Sequence, residues 1–143
     1  MDAARLIVYH KQATSARLRF LRFADPTVCG FGALPRLAAV VEREEMARFD
    51  PAVVPHPAAL PKRMEGALGL AAGSVELDGD FLARVDVPDG PLTIYLARFT
   101  TIDPPFANAE AHAASFIDLT QARDLPPAEL QLLRLVYQHV MGG

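Results

Sequence analysis

The fold is decided by one stretch in the second half of the chain, residues 74–101, which reads SVELDGDFLARVDVPDGPLTIYLARFTT. Asp78-Gly79 and Pro88-Asp89-Gly90-Pro91 are turn signals, because glycine reaches backbone conformations closed to other residues and proline presets φ. The runs around these turns are rich in β-branched, aromatic and other apolar residues, as strands are. The stretch therefore predicts an antiparallel β-meander of three strands over about residues 74–101.

The second turn sets the register of the meander. If Val87 pairs with Leu92 across it, Val85 faces Ile94, and the side chains of one face are apolar. The other face mixes charged, polar and aromatic residues. We therefore expect one face to pack on a core and the other to meet solvent or a partner.

Helical patterns flank the meander. The C-terminal segment opens with Pro126-Pro127 and stops before Gly142, and its apolar residues recur at helical spacing, which predicts a core-packing helix. Shorter helices are predicted over residues 61–69, and over residues 105–116 with Asp103 as N-cap. Helices packed against a meander give an α+β fold, and the length predicts a single domain over residues 1–143.

The first half of the chain is less decided. Residues 5–9 predict a short strand, and residues 14–23 a helix capped by a hydroxyl side chain. Residues 37–49 fit either a buried strand followed by a helix or one continuous helix. Four prolines between residues 50 and 61 predict an extended connector within one domain.

Composition narrows the function classes. The chain has 143 residues, 51% of them apolar and 22% charged, which are ordinary globular proportions, and a formal net charge of −3 that gives no field for polyanions. Its single cysteine, Cys29, cannot form an internal disulfide, and no apolar run reaches the roughly 18 residues of a membrane helix. These features predict a cytoplasmic protein without a membrane partner.

The N-terminal segment departs from this charge balance. Residues 3–24 contain no acidic residue, and their basic side chains alternate with aromatic ones. Such interleaving is typical of single-strand nucleic-acid binding, which is the second of two alternative functions considered for the chain. We favour a solvated basic edge over core aromatics, so a nucleic-acid partner is disfavoured. The basic residues are Arg5, Lys11, Arg17, Arg19 and Arg22.

Strong catalytic signatures are absent from the sequence. It contains no Walker loop, no G-x-G-x-x-G after a strand, no C-x-x-C pair, no H-E-x-x-H and no G-x-S-x-G. We therefore predict no cofactor and leave enzymatic activity undecided.

The best polar cluster lies at the end of the last strand of the meander and the start of the next predicted helix. Arg98 and Thr100 share a strand face, and Asp103 begins a helix, where free backbone N–H groups can bind an anion. The alternative is that Arg98 pairs with a surface carboxylate while Asp103 only caps the helix. The candidate ligand-binding residues are Arg98, Thr100, Asp103 and His112.

Other candidates have weaker support. Cys29 could be a nucleophile with His56 as its base, but a lone cysteine more often packs as a small apolar residue. Glu110 and His112 point to different sides of a helix, so no metal site is predicted, although a scattered one using His56 or His139 is kept as an alternative. In the last helical turn, a protonated His139 would be favoured by the helix dipole.

The leading hypothesis is a non-catalytic accessory or binding protein that acts as a homodimer or on a protein partner. Leu135, which projects from the polar side of the last helix, supports it. The first alternative is a binder or enzyme for an anionic small molecule, with a pocket between sheet and helices, Arg98 as the anion anchor and Asp103 or His112 as acid or base.

Overall fold

The computed structural model describes residues 3–41 and 57–142. Predictions for residues 42–56, which include His56, most of the proline connector and the second half of residues 37–49, lie outside this part of the chain. The strands are β1 (Ala4–Lys11), β2 (Leu18–Arg22), β3 (Ala39–Val40), β4 (Val75–Val87), β5 (Gly90–Phe99) and β6 (Ser115–Ile117). The helices are α1 (Ala59–Leu68), α2 (Phe106–Ala111) and α3 (Pro127–Met141), with a short 3₁₀ turn at Leu119–Gln121.

The six strands form one mixed sheet in the order β3-β4-β5-β1-β2-β6. Strands β1 and β5 are parallel, and the other neighbours are antiparallel. Helix α3 packs on one face of the sheet, and α1 and α2 pack on the other. This arrangement confirms an α+β fold in which the C-terminal helix is part of the core.

Two apolar layers share this sheet because successive residues of a strand point to opposite faces. Ile7 and Leu96 pack with α3, whereas their neighbours Leu6 and Ala97 pack with Met64 of α1. All five are at most 1% exposed. Apolar side chains thus fill most of the layers on both sides of the central strands.

Residues 14–23 are not a helix, and that prediction was wrong. The chain turns after β1 and returns as β2, with Tyr9 opposite Phe20 and the Gln12 backbone N–H bonded to the Arg17 carbonyl at 2.9 Å. Phe20 and Leu21 are fully buried on opposite faces of the sheet. Burying apolar side chains on both faces of the sheet stabilises the strand more than the capping hydroxyl would stabilise a helix here.

The β-region over residues 74–101 is present, but it has two strands where the sequence predicted three. Residues 75–87 form one continuous strand that pairs with β5, and the predicted turn at Asp78-Gly79 is an irregularity between Leu77 and Leu82. A bulge absorbs extra residues without reversing the chain, which is what happens here.

The turn at residues 88–89 is tighter than predicted. Val87 pairs with Gly90, so Val85 lies opposite Leu92 rather than Ile94. The register differs by two residues, and an even shift leaves every side chain on its original face. The expected apolar face is therefore intact, with Val85 fully buried.

The helices match their local signals to different degrees. Helix α1 ends at a left-handed Gly69, where the Leu70 N–H bonds to the Glu65 carbonyl at 2.8 Å in a Schellman arrangement. Helix α2 is shorter than residues 105–116, because Ala113 is left-handed and residues 115–117 join the sheet. Its N-cap is Pro105 rather than Asp103. Across residues 3–41 and 57–142, no helix is long and apolar enough to cross a membrane.

Candidate functional site

Strands β1 and β5 end side by side at one margin of the sheet. Because they are parallel, Tyr9 near the end of β1 lies beside Arg98 near the end of β5. In open sheets, ligands bind outside the carboxyl ends of parallel strands. We name this margin the carboxyl edge: residues 9–12 and 98–103 together with the side chains that contact them.

On the α3 face of the carboxyl edge, three side chains meet at one carboxylate oxygen. The hydroxyl of Tyr9 donates to Oδ2 of Asp78 at 3.1 Å, and Nε2 of His139 lies 3.1 Å from the same atom. A carboxylate only accepts, so Nε2 carries the ring proton. Within the described residues, Nδ1 of His139 has no hydrogen-bond partner. The side chains of His139 and Asp78 are 26% and 16% exposed, so this acid–base pair is reachable from solvent.

Tyr9 is the fixed member of this group. Burial, reinforced by the charge and hydrogen bond of Asp78, raises the pKa of Tyr9 to about 12, while the positive charge of Arg98 acts in the opposite direction. The phenol therefore stays a neutral donor near neutral pH.

Arg98 projects from the same face as Tyr9, because the register partners Ile7 and Leu96, two residues earlier, both pack with α3. Its Nη2 lies 3.3 Å from Oε2 of Glu76, and both side chains are more than half exposed. Exposed ion pairs of this kind contribute about 0.2–1 kcal/mol. An anionic ligand can therefore replace Glu76 at little cost.

The opposite face of the carboxyl edge carries a network centred on an amide. Nε2 of Gln12 donates to Oδ1 of Asp103 at 2.7 Å, and Oε1 of Gln12 accepts from Nη1 of Arg19 at 2.8 Å. The Arg19 guanidinium lies over the ring of Phe106, 5.6 Å from its centroid. Through Gln12, the Asp103 side chain therefore holds the loop after β5 against β1 and β2.

His10 fixes the same loop from beneath. It is 1% exposed, and its Nε2 donates to the backbone carbonyl of Thr101 at 2.8 Å. Its Nδ1 is a buried side-chain nitrogen without a hydrogen-bond partner among the described atoms. The loop after β5 is consequently tied to β1 through two side chains, His10 and Gln12.

Three of the four residues proposed from the sequence lie at the carboxyl edge, each with a different partner. Arg98 pairs with Glu76, the hydroxyl of Thr100 donates to the Gly73 carbonyl at 2.6 Å, and Asp103 belongs to the Gln12 network. His112 lies elsewhere, at the end of α2.

The surroundings of His112 are those of a helix end. Its Nδ1 is 2.9 Å from the Asn108 carbonyl, and its ring lies against Gly69. The amide of Asn108 in turn donates to the carbonyls of Leu68 and Gly69, which close α1. His112 therefore contacts the junction between α1 and α2.

Sequence reasoning missed the pairing of Asp78 with His139. The two residues are 61 positions apart, and Tyr9 is 69 positions from Asp78, so no local spacing connects them. Asp78 was interpreted as a turn residue. The available signal was the position of His139 in the last turn of α3, which the structure confirms.

Cys29 is packed rather than reactive. It is 1% exposed, and burial, with a smaller contribution from the charge of Glu129, raises the pKa of its thiol. A thiol held in its protonated form is a poor nucleophile. This confirms the interpretation of Cys29 as a small apolar residue of the core.

Two basic residues of β2 and its preceding turn, Arg17 and Arg22, pair with carboxylates from the C-terminal half. Arg17 pairs with Asp118 at 3.1 Å, and Arg22 pairs with Asp124. Their charges are thereby partly neutralised. Within residues 3–41 and 57–142, no group of three His, Cys, Asp or Glu side chains is placed to hold a metal ion.

The fold and the position of its polar margin allow comparison with known proteins. The chain matches no protein-family model, and no curated protein matches it by sequence. Among solved structures, it is similar to an Ap4A hydrolase from C. elegans, with 15% sequence identity, a TM-score of 0.52, and 96% of each chain covered. At this identity the likeness concerns the fold, and it extends over nearly the whole chain.

Proposed function

We propose that this protein binds a phosphorylated small molecule at the carboxyl edge, with Arg98 as its anion-binding residue. The observation that carries the proposal is the position of Arg98 beside Tyr9, on the face where Asp78 and His139 form a partly exposed acid–base pair. The structural neighbour is described as a hydrolase of Ap4A, which supports a nucleotide-type phosphate as the ligand.

The chemistry of Arg98 suits this ligand. A guanidinium presents several donors in a planar fork that matches phosphate oxygens, and charge-assisted bonds of this type are stronger than neutral ones. Its exposed pairing with Glu76 keeps the side chain oriented along the sheet until a ligand competes for it.

Calorimetric titration with Ap4A tests the proposal. Arg98→Ala should weaken binding roughly tenfold or more, because a charge-assisted contact is lost. Arg22→Ala is the control: Arg22 is also paired with a carboxylate, that of Asp124, but it lies at the end of β2 opposite the carboxyl edge. Equal effects of both variants, or no binding of Ap4A by the wild-type protein, would contradict the proposal.

A second candidate function is a non-catalytic accessory protein acting as a homodimer or with a protein partner. Helix α3 supports it, because it exposes 37% of Leu135, 41% of Tyr137 and 37% of Met141. Native mass spectrometry should then show a dimer that Leu135→Glu converts to a monomer. A wild-type monomer at micromolar concentration would count against self-association. Cytoplasmic location and the lack of a nucleic-acid partner also stay predictions.

A further inference from the structure

We infer that His139, oriented by Asp78, is the general base of a hydrolytic reaction at the carboxyl edge, acting on a phosphate ester or anhydride bond of the ligand held by Arg98. The inference deepens the proposed function and rests on it. It assigns a catalytic role to the pair of His139 and Asp78, which ligand binding by Arg98 does not require.

The geometry of the pair is that of an oriented base. Nε2 of His139 donates to Asp78, so the lone pair of the neutral ring is on Nδ1. Among the described residues, no donor forms a hydrogen bond to this nitrogen. When Nδ1 takes a proton, the carboxylate stabilises the resulting imidazolium. The position of His139 in the last turn of α3 adds the favourable field of the helix dipole.

Two neighbours hold this orientation and are positioning residues. Tyr9 donates to the same carboxylate oxygen as His139, which restricts rotation of Asp78. The ring of Phe81 meets the imidazole edge-on, with centroids 5.4 Å apart. Two neighbours thus hold the pair, while the side chain of His139 stays 26% exposed.

The reaction can be written with its atoms balanced. A water oxygen forms a bond to phosphorus while one of its protons passes to Nδ1 of His139, and the bond from phosphorus to the leaving oxygen breaks with its electron pair on that oxygen. Arg98 binds the non-bridging oxygens as their charge increases. The imidazolium then releases its proton to solvent, and the site returns to its starting state.

Steady-state hydrolysis of two probes, bis(p-nitrophenyl) phosphate and Ap4A, tests the inference. His139→Gln should lower kcat on the order of a hundredfold or more and remove the acidic limb of the pH profile, because the proton acceptor is lost. Calorimetric affinity for Ap4A should change little, since Arg98 is retained. Gln138→Ala, an exposed neighbour on the same helical turn, should match the wild-type protein in both measurements.

Separate outcomes overturn the two proposals. Wild-type protein that binds Ap4A but hydrolyses neither probe, or His139→Gln with unchanged kcat and pH profile, overturns the catalytic inference and leaves binding intact. Wild-type protein that binds no Ap4A overturns the proposed function itself. If His139→Gln does not fold by circular dichroism, Asp78→Asn replaces it, and a kcat equal to wild type in that variant also overturns the inference.

Discussion

Glu129 lies in the first turn of α3 with no exposed surface, and its carboxylate is surrounded by donors. It accepts hydrogen bonds from the Thr27 hydroxyl and from the backbone N–H groups of Val28 and Leu34. A buried charge is tolerated only when its hydrogen-bonding capacity is filled in this way. This side chain therefore fixes the loop over residues 27–34 against the helix.

Removal of this carboxylate is our first prediction. Glu129→Ala should lower the free energy of unfolding by about 3 kcal/mol, because the buried donors of the loop lose their acceptor. Urea unfolding monitored by circular dichroism measures the change. Glu76→Ala, whose side chain is 58% exposed, is the control and should change stability by less than about 0.5 kcal/mol. A Glu129→Ala protein as stable as this control would contradict the assignment.

The hydroxyl of Tyr9 gives a pH-dependent prediction. Its pKa is raised to about 12 in the folded protein, above the ordinary value near 10, so folding favours the neutral phenol. The stabilisation is complete below about pH 10 and is lost as the pH rises toward 12, because the unfolded chain ionises first. We expect Tyr9→Phe to flatten this decline.

Urea midpoints between about pH 9 and pH 12 measure the effect. Tyr137→Phe is the control, because the side chain of Tyr137 is 41% exposed and its replacement should leave the wild-type decline unchanged. If the urea midpoints of the wild-type and Tyr9→Phe proteins fall in parallel as the pH rises, folding does not raise the pKa of Tyr9, and the prediction is wrong.

At the scale of elements, the sequence predicts a helix or strand when the residues that determine it lie within the same segment. Helix α3 was predicted within a residue, because Pro127 at its start, its apolar arc and Gly142 after its end all lie inside the segment. Helix α1 was predicted for the same reason, with Gly69 as its end. Strand β2 could not be predicted, since its strand state depends on Tyr9 and Phe20 meeting in the sheet.

The candidate site likewise combines positions that the local sequence predicts with contacts that it does not. The sequence put Arg98 and Thr100 at the end of a strand, and the structure has Arg98 near the end of β5 with Thr100 directly after the strand. The predicted cap by Asp103 was wrong, because Pro105 caps the helix. The partners of these polar side chains were not predictable, because Gln12 lies 91 residues from Asp103 and becomes its neighbour only through the parallel pairing of β1 with β5. Parallel pairing leaves no local turn signal in the sequence.

The segment beside β1 provides a prediction about close packing. Gly30 bonds to Leu6 in both directions, and a Cβ there would lie 2.6 Å from the Met64 Cε atom and 2.9 Å from the Leu6 carbonyl oxygen. Gly30→Ala should therefore lower the free energy of unfolding by about 1–3 kcal/mol. Thermal unfolding of this variant measures the loss.

Gly79→Ala is the matched control, since a Cβ at that position meets no atom within 4 Å. Trimming Met64 in the Gly30→Ala background should not restore wild-type stability, because the second clash is with the backbone of β1. Full recovery in that double variant would show that the contact with the Leu6 carbonyl can relax.

At the scale of the whole molecule, the sheet couples two apolar layers that are otherwise separate. Leu133 of α3 is fully buried in one layer, and Met64 of α1 is 1% exposed in the other. The same strands, β1 and β5, supply alternate residues to both layers. Loss of either helix would expose one whole face of these strands to water.

The described part of the chain should therefore unfold as one cooperative unit. Leu133→Ala and Met64→Ala should each lower the free energy of unfolding by about 2–5 kcal/mol. Each should shift the entire urea transition, whether it is followed by far-ultraviolet circular dichroism or by tyrosine fluorescence. Because the residues lie on opposite sides of the sheet, their effects should add within about 0.5 kcal/mol in the double variant. Two separated transitions would mean that the α3 layer and the α1 layer unfold independently, which the strands they share should prevent.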